Sequence, residues 1–155
     1  MIRLARKEDI EGINKLLYQV HNVHADIRPD IFIKDLKKYT NDELLNIINN
    51  SSSTPIYVNE INNKIAGYAF LVYKKEYSNS TYPIKSIYID DLCVDESIRH
   101  KHVGKDLCEY VFKIAKDNDF DKVTLNVWQG NDTALKFYEY MGFKPLKTTM
   151  ELKIK

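Results

Sequence analysis

Between Tyr88 and Lys105 the sequence runs from an apolar, strand-like stretch through a short polar loop into a basic segment that opens an amphipathic helix. A helix N-terminus exposes free N–H groups and partial positive charge, which makes it a natural anion site. Arg99, His100, Lys101 and Lys105 add positive charge at that place, and Gly104 removes a side chain where the backbone can approach a phosphate. The chemistry these residue types suit is the holding of a phosphate or pyrophosphate. Basic residues near a helix start are also ordinary on a solvated surface, so this segment alone leaves both readings open.

Other candidates carry less. His21 and His24 lack a clear third ligand at metal-binding spacing, so no metal site is expected. Asp26, Asp30 and Asp35 suit either attraction of a cationic amine or a solvated face. Cys93 and Cys108 each sit inside an apolar pattern, which fits reduced core thiols and points to the cytoplasm.

The elements that must position these residues read as follows. IRLA is a short first strand, and Ile10, Ile13, Leu17 and Val20 follow at helical spacing. Residues 21–50 are largely polar, broken by Pro29, with helix-like pieces at 32–39 and 42–48. IYVNEI and IAGYAFLVYKK form two strands joined by an Asn-rich hairpin turn. A polar loop, YSNSTYP, leads to the strand IKSIYIDDLCV. The spacing of Val103, Leu107, Val111 and Ile114 predicts a helix over about 103–117. KVTLNVW is a further strand. Asn131 can cap a helix bearing Ala134, Phe137, Tyr138 and Met141, with Gly142 as its left-handed stop. KTTMELKIK alternates as a last strand. The order gives an α/β protein with one mixed sheet, in a single domain over residues 1–155.

Two of these segments resemble a known family. RHKHVGK, from Arg99 to Lys105, is similar to the pyrophosphate loop of the GNAT acetyltransferases: Arg or Gln, two residues, Gly, one residue, then Gly or Ala. NDTALKFYEYMGF, from Asn131 to Phe143, is similar to that family's second signature helix. The resemblance is strong over residues 86–145. It implies a GNAT-like fold, a central and mostly antiparallel twisted sheet flanked by helices. It also implies acetyl-CoA as cosubstrate and transfer of its acetyl group to a primary amine by direct attack. One position departs from the pattern, since the family usually has glycine where His102 stands. A histidine in the ordinary backbone region still offers its N–H to a phosphate.

The site residues follow from the same resemblance. His102, Val103, Gly104 and Lys105, with Arg99, His100 and Lys101, line the pyrophosphate cradle. Backbone groups of Leu92, Cys93 and Val94 hold the pantetheine arm and the acyl carbonyl, and Asn131 caps its helix or also contacts CoA. Tyr138 matches the tyrosine that gives a proton to the leaving thiolate. YIDDLCV looks closest to the diamine acetyltransferase strand, whose first acidic residue is the base, which points to Asp90. Alternation sends Asp90 and Asp91 to opposite faces, so only one is expected toward the acyl group. The acceptor pocket is expected from residues 21–50 and 76–84, and a homodimer is allowed. The other reading of the same motifs is a CoA-binding sensor or regulatory module with little catalysis.

Composition limits the alternatives. At 155 residues with 44% hydrophobic and 29% charged residues, the chain has the balance of a folded globular protein. A net charge of +1 offers no global field toward nucleic acid. No apolar run approaches the roughly 20 residues that cross a bilayer, and the first residues show no signal-peptide pattern.

Overall fold

The computed structural model describes residues 1–155, apart from the side chains of residues 99–101. A short strand β1 (Ile2–Leu4) leads through a 3-10 turn into α1 (Ile10–Ile27), then α2 (Asn41–Asn49). Three strands follow, β2 (Ile56–Ile61), β3 (Lys64–Ser78) and β4 (Thr81–Val94). After a 3-10 turn (Glu96–Lys101) come α3 (Val103–Asp117), β5 (Lys122–Leu125) and α4 (Asp132–Tyr140). The five strands form one sheet in sequence order. Each neighbouring pair is antiparallel except β4 and β5, which run parallel across the α3 crossover. No helix among the described residues is long and apolar enough to cross a membrane.

Local chemistry accounts for the boundaries. Asn62 and Asn63 adopt φ of 51° and 60°, the paired left-handed conformation of a two-residue hairpin, where asparagine is tolerated better than most residues. Thr40 and Glu43 cap α2 reciprocally, at 3.1 and 3.0 Å. α1 runs about two turns past the four residues whose spacing announced it, and ends just before Pro29.

Three expectations are corrected. Residues 32–39 form turns and bends, not a helix, because Pro29 and the left-handed Asp35 (φ 63°) interrupt the run. The YSNSTYP loop is the closed end of a long β3–β4 hairpin, with Ser78 paired to Thr81. The last segment alternates but finds no partner strand, so residues 143–155 carry no strand among the described residues.

The sheet separates two cores. Tyr68 and Phe70 of β3 face α1 and α2 with Ile13, Leu16, Leu17 and Leu44. Ala69 and Leu71 face α3 with Val103, Leu107 and Val111. Gly67 lets α3 close on the sheet. A Cβ there would stand 2.8 Å from Val103 Cγ1 and 2.9 Å from the Cys93 carbonyl oxygen, and that oxygen cannot swing away. Gly67→Ala is therefore expected to destabilise the fold by about 2 kcal/mol, read as a lower urea midpoint at unchanged m-value.

Candidate active site

β4 is the element on which the site is built. Its pairing with β5 covers only Ser86 to Ile89, opposite Lys122 to Leu125. Beyond that the two strands part, while β4 stays paired with β3 as far as Val94, opposite Gly67. The backbone N–H groups of Leu92 and Val94 therefore face the β5 side with no strand opposite them, whereas the Cys93 N–H, in step with the Asp95 N–H on the Ala66 carbonyl, points to β3 and corrects the expectation for that residue. Backbone groups arranged this way suit an extended, amide-bearing arm.

A β-bulge falls where the strands part. Phe70 pairs with Asp91 and Leu71 with Ile89, so Asp90 is the extra residue. The bulge breaks the alternation, and both carboxylates turn toward the same aromatic group. Asp90 accepts from the Tyr39 hydroxyl and pairs with Lys38 Nζ at 3.1 Å. Asp91 accepts from the Tyr68 hydroxyl at 2.9 Å. Tyr39 and Tyr68 both pack on Phe70, with ring centroids at 5.4 and 4.8 Å. Burial pushes the Asp91 carboxyl up to about 6, against the pull of the Tyr68 hydrogen bond and of Lys38, with Asp90 adding to the rise.

Tyr138 lies on α4, its ring against Phe137 (5.2 Å) and Phe143 (5.6 Å). Burial, and then the nearby Cys108, Asp91 and Cys93, hold its hydroxyl protonated well above the usual tyrosine range. Cys108 is an inert core thiol, pushed up to about 12 by burial. Asn131 caps α4 by accepting from the Ala134 N–H at 3.3 Å, which is the structural half of its two expected roles.

Beyond the end of β4 and a 3-10 turn, α3 begins. The first bond of that helix runs from the Asp106 N–H to the His102 carbonyl, leaving the N–H groups of Val103, Gly104 and Lys105 without an intrahelical acceptor. These donors and the helix dipole fit a pyrophosphate. The expected contributions of Arg99, His100 and Lys101 lie outside the described residues. Gly104 has a packing reason that the sequence did not announce: a Cβ there would meet Phe137 Cζ at 3.2 Å and Val94 Cγ2 at 3.3 Å. It is the point where α3, α4 and β4 meet, so it joins the basic segment to the helix bearing Tyr138. The loop before α3 is tied to α1 by Asp95. Despite burial, Asp95 is held down to about 2 by the Ser97 N–H and hydroxyl and by Lys15, 3.0 Å away.

His102 does not stay in the ordinary backbone region. It adopts φ 57° and ψ 24°, the left-handed conformation that favours glycine. The glycine of the family pattern is thus missing while its backbone shape is kept. His102→Gly is expected to stabilise the chain by about 1 kcal/mol, measured as a raised urea midpoint.

Sequence reasoning did not single out Lys38, Tyr39 or Tyr68, although Lys38 and Tyr39 lie in the stretch expected to shape the acceptor pocket. Beside them, His24 contacts Phe32 (5.4 Å), and Phe32 meets Trp128 edge-on (5.4 Å). Burial, then His21 and Lys38, lower the pKa of His24. Residues 76–84 do not join this group. Their hairpin end stands nine residues along β4 from Asp90, about 30 Å at strand rise. No cluster of three metal-ligating side chains occurs among the described residues.

Comparison with known proteins agrees with this geometry. The sequence pattern of the Acetyltransferase (GNAT) family matches residues 17–143. Over 106 residues the chain is 29% identical to the "Probable N-acetyltransferase camello" of Xenopus laevis, covering 66% of this chain and 46% of that protein. It therefore spans about half the length of that relative. A crystal structure of a single-site mutant of a Bacillus halodurans protein superposes with a TM-score of 0.94 at 29% identity, over 100% of this chain and 99% of the other. Aminoglycoside N-acetyltransferase AAC(6')-Iy in complex with CoA superposes at 0.71 with 16% identity, over 100% and 99% of the two chains. That last likeness is one of fold.

Proposed function

Because the chain belongs to the GNAT acetyltransferase family, we propose that it transfers the acetyl group of acetyl-CoA to a primary amine by direct attack. The observation that carries this reading is the β4 bulge that turns Asp90 and Asp91 toward the same aromatic group, at the point where β4 and β5 part. Acetyl-CoA supplies the thioester carbonyl. The N–H groups of Val103, Gly104 and Lys105 hold its pyrophosphate, and backbone groups of Leu92 and Val94 hold the arm and orient the carbonyl.

An alkyl ammonium has a pKa near ~10, so a proton must leave before the nitrogen can attack. Asp90 receives the ammonium in the place Lys38 now holds, and Asp91 takes the proton. Tyr138 donates a hydrogen bond to the departing sulfur. The paired carboxylates and the likeness of YIDDLCV to diamine acetyltransferases favour a cationic amine as acceptor. His24, Phe32 and Trp128 flank its path. The amine belongs to a small molecule or a protein, and the protein acts as a homodimer.

Incubation with acetyl-CoA and a panel of polyamines, aminoglycosides and Lys-containing or free N-terminal peptides, monitored by thiol release, tests the reading. Turnover above background on a cationic amine supports it. Tight CoA binding with no turnover on any member transfers the case to a CoA-sensing module.

A further inference from the structure

Lys38 stands where the nitrogen of an acceptor amine is expected. Its Nζ lies 3.1 Å from Asp90 Oδ2 and donates to the Asp90 carbonyl oxygen at 3.3 Å. The bulge residue thus holds this ammonium by side chain and backbone together. Asp90 comes two residues before Leu92, whose N–H faces the side that β5 has left. The Lys38 charge also reaches Asp91, whose pKa it pulls down against the effect of burial.

The chain on either side of Lys38 is anchored. Residues 32–39 form turns and bends, so their place is set by what they touch. The Lys37 ammonium donates to Asn14 Oδ1 at 2.6 Å and to Asn41 Oδ1 at 2.5 Å. The Tyr39 ring stacks on Phe70 with centroids 5.4 Å apart, and its hydroxyl donates to Asp90. Between these anchors Lys38 is directed onto the carboxylate, while its neighbour Lys37 is turned away to α1 and α2. Holding a nucleophile at one place raises its effective concentration by orders of magnitude. The Lys38 side chain is 44% exposed, and an ion pair this open to water is weak enough to separate readily. A four-carbon stem then gives the nitrogen reach.

Resting on the acetyltransferase reading above, we propose that Lys38 is itself an acceptor, acetylated at Nζ by the acetyl-CoA bound to its own chain. The ammonium gives one proton to the carboxylate pair, which passes it to water. The freed lone pair attacks the thioester carbonyl carbon, a C–N bond forms, and the C–S bond breaks. The sulfur leaves with the bonding pair and takes the second proton that the nitrogen sheds. The products are N-acetyl-Lys38, CoA as the free thiol and one proton in solvent. The amide carries no charge, so Asp90 loses its cation, keeps the Tyr39 hydroxyl, and is left to receive an external ammonium.

The full chain incubated with acetyl-CoA, without any added amine, tests the proposal by intact mass and peptide mapping over time. The expected result is one acetyl group, on Lys38, gained in a first-order process whose rate constant is unchanged by about ten-fold dilution of the protein. Labelling of Lys38 is expected to be at least about ten-fold slower in Asp91→Asn and Tyr138→Phe, and in the urea-unfolded wild type. Lys38→Arg is expected to lose the first-order label, and Lys37→Arg to keep it. Labelling of Lys38 no faster than in the unfolded chain overturns the proposal, as does a rate constant that scales with protein concentration. Turnover on an external cationic amine with Lys38 unlabelled also overturns it, and leaves the acetyltransferase reading standing. Neither label nor turnover on any amine defeats both.

Discussion

Replacing Tyr138 by phenylalanine is expected to lower kcat about 100-fold while CoA affinity and thermal stability change little. Burial keeps this hydroxyl protonated above the usual tyrosine range, whereas a thiol titrates near ~8.5. Complete proton transfer from Tyr138 to the sulfur is therefore uphill. What the hydroxyl supplies is a hydrogen bond that strengthens as charge builds on the departing sulfur, so its loss acts on kcat rather than on binding. The ring, packed between Phe137 and Phe143, survives the substitution, which is why stability is spared. Steady-state kinetics paired with calorimetric CoA titration separates the two effects. A kcat within about three-fold of wild type would reduce Tyr138 to a core aromatic.

The second large effect belongs to Asp91. With its carboxyl raised to about 6, the proton-accepting form fills as pH rises, so kcat/KM is expected to climb through a limb near pH 6 and level off above it. Asp91→Asn is expected to remove that limb and lower the plateau about 100-fold. Asp90→Asn is expected to act chiefly on KM, because Asp90 binds the ammonium. Stability gives an independent reading with the opposite sense. A carboxyl whose folded pKa lies above its unfolded value stabilises the fold below the ordinary carboxylate range, near pH 3.8, and that contribution is lost as pH rises to about 6. Urea midpoints of Asp91→Asn should lack this particular loss. A wild-type profile flat between pH 5 and 8 would contradict the assignment of Asp91.

Much of the fold could be read from local pattern. α3 begins and ends where the spacing of Val103, Leu107, Val111 and Ile114 puts it, since a strongly amphipathic helix declares itself within four turns. Asn131 and the Asn62–Asn63 turn were legible for the same reason: capping and hairpin chemistry are carried by one or two residues.

What could not be read depends on pairing between distant parts of the chain. The bulge at Asp90 is a mismatch of register between β3 and β4, and no alternation within IKSIYIDDLCV reveals it. It alone turns both carboxylates toward Tyr39 and Tyr68. The packing role of Gly104 needs Phe137, thirty-three residues away, before it has any meaning. His102 shows a subtler limit. The motif marks a position where glycine is usual, but only the dihedral angles show that the backbone keeps the glycine shape under a histidine. The last nine residues show the converse, an alternating pattern that forms no strand because no edge of the sheet pairs with it.

The central proposal is that the α3 N-terminus and the β4 backbone beyond its pairing with β5 together hold acetyl-CoA. Titration of the protein with acetyl-CoA, followed by amide NMR, tests it most directly. Saturable shifts are expected at the N–H groups of Val103, Gly104 and Lys105 and at those of Leu92 and Val94. Saturation that leaves these five amides unmoved, or no binding up to millimolar cosubstrate, would contradict it.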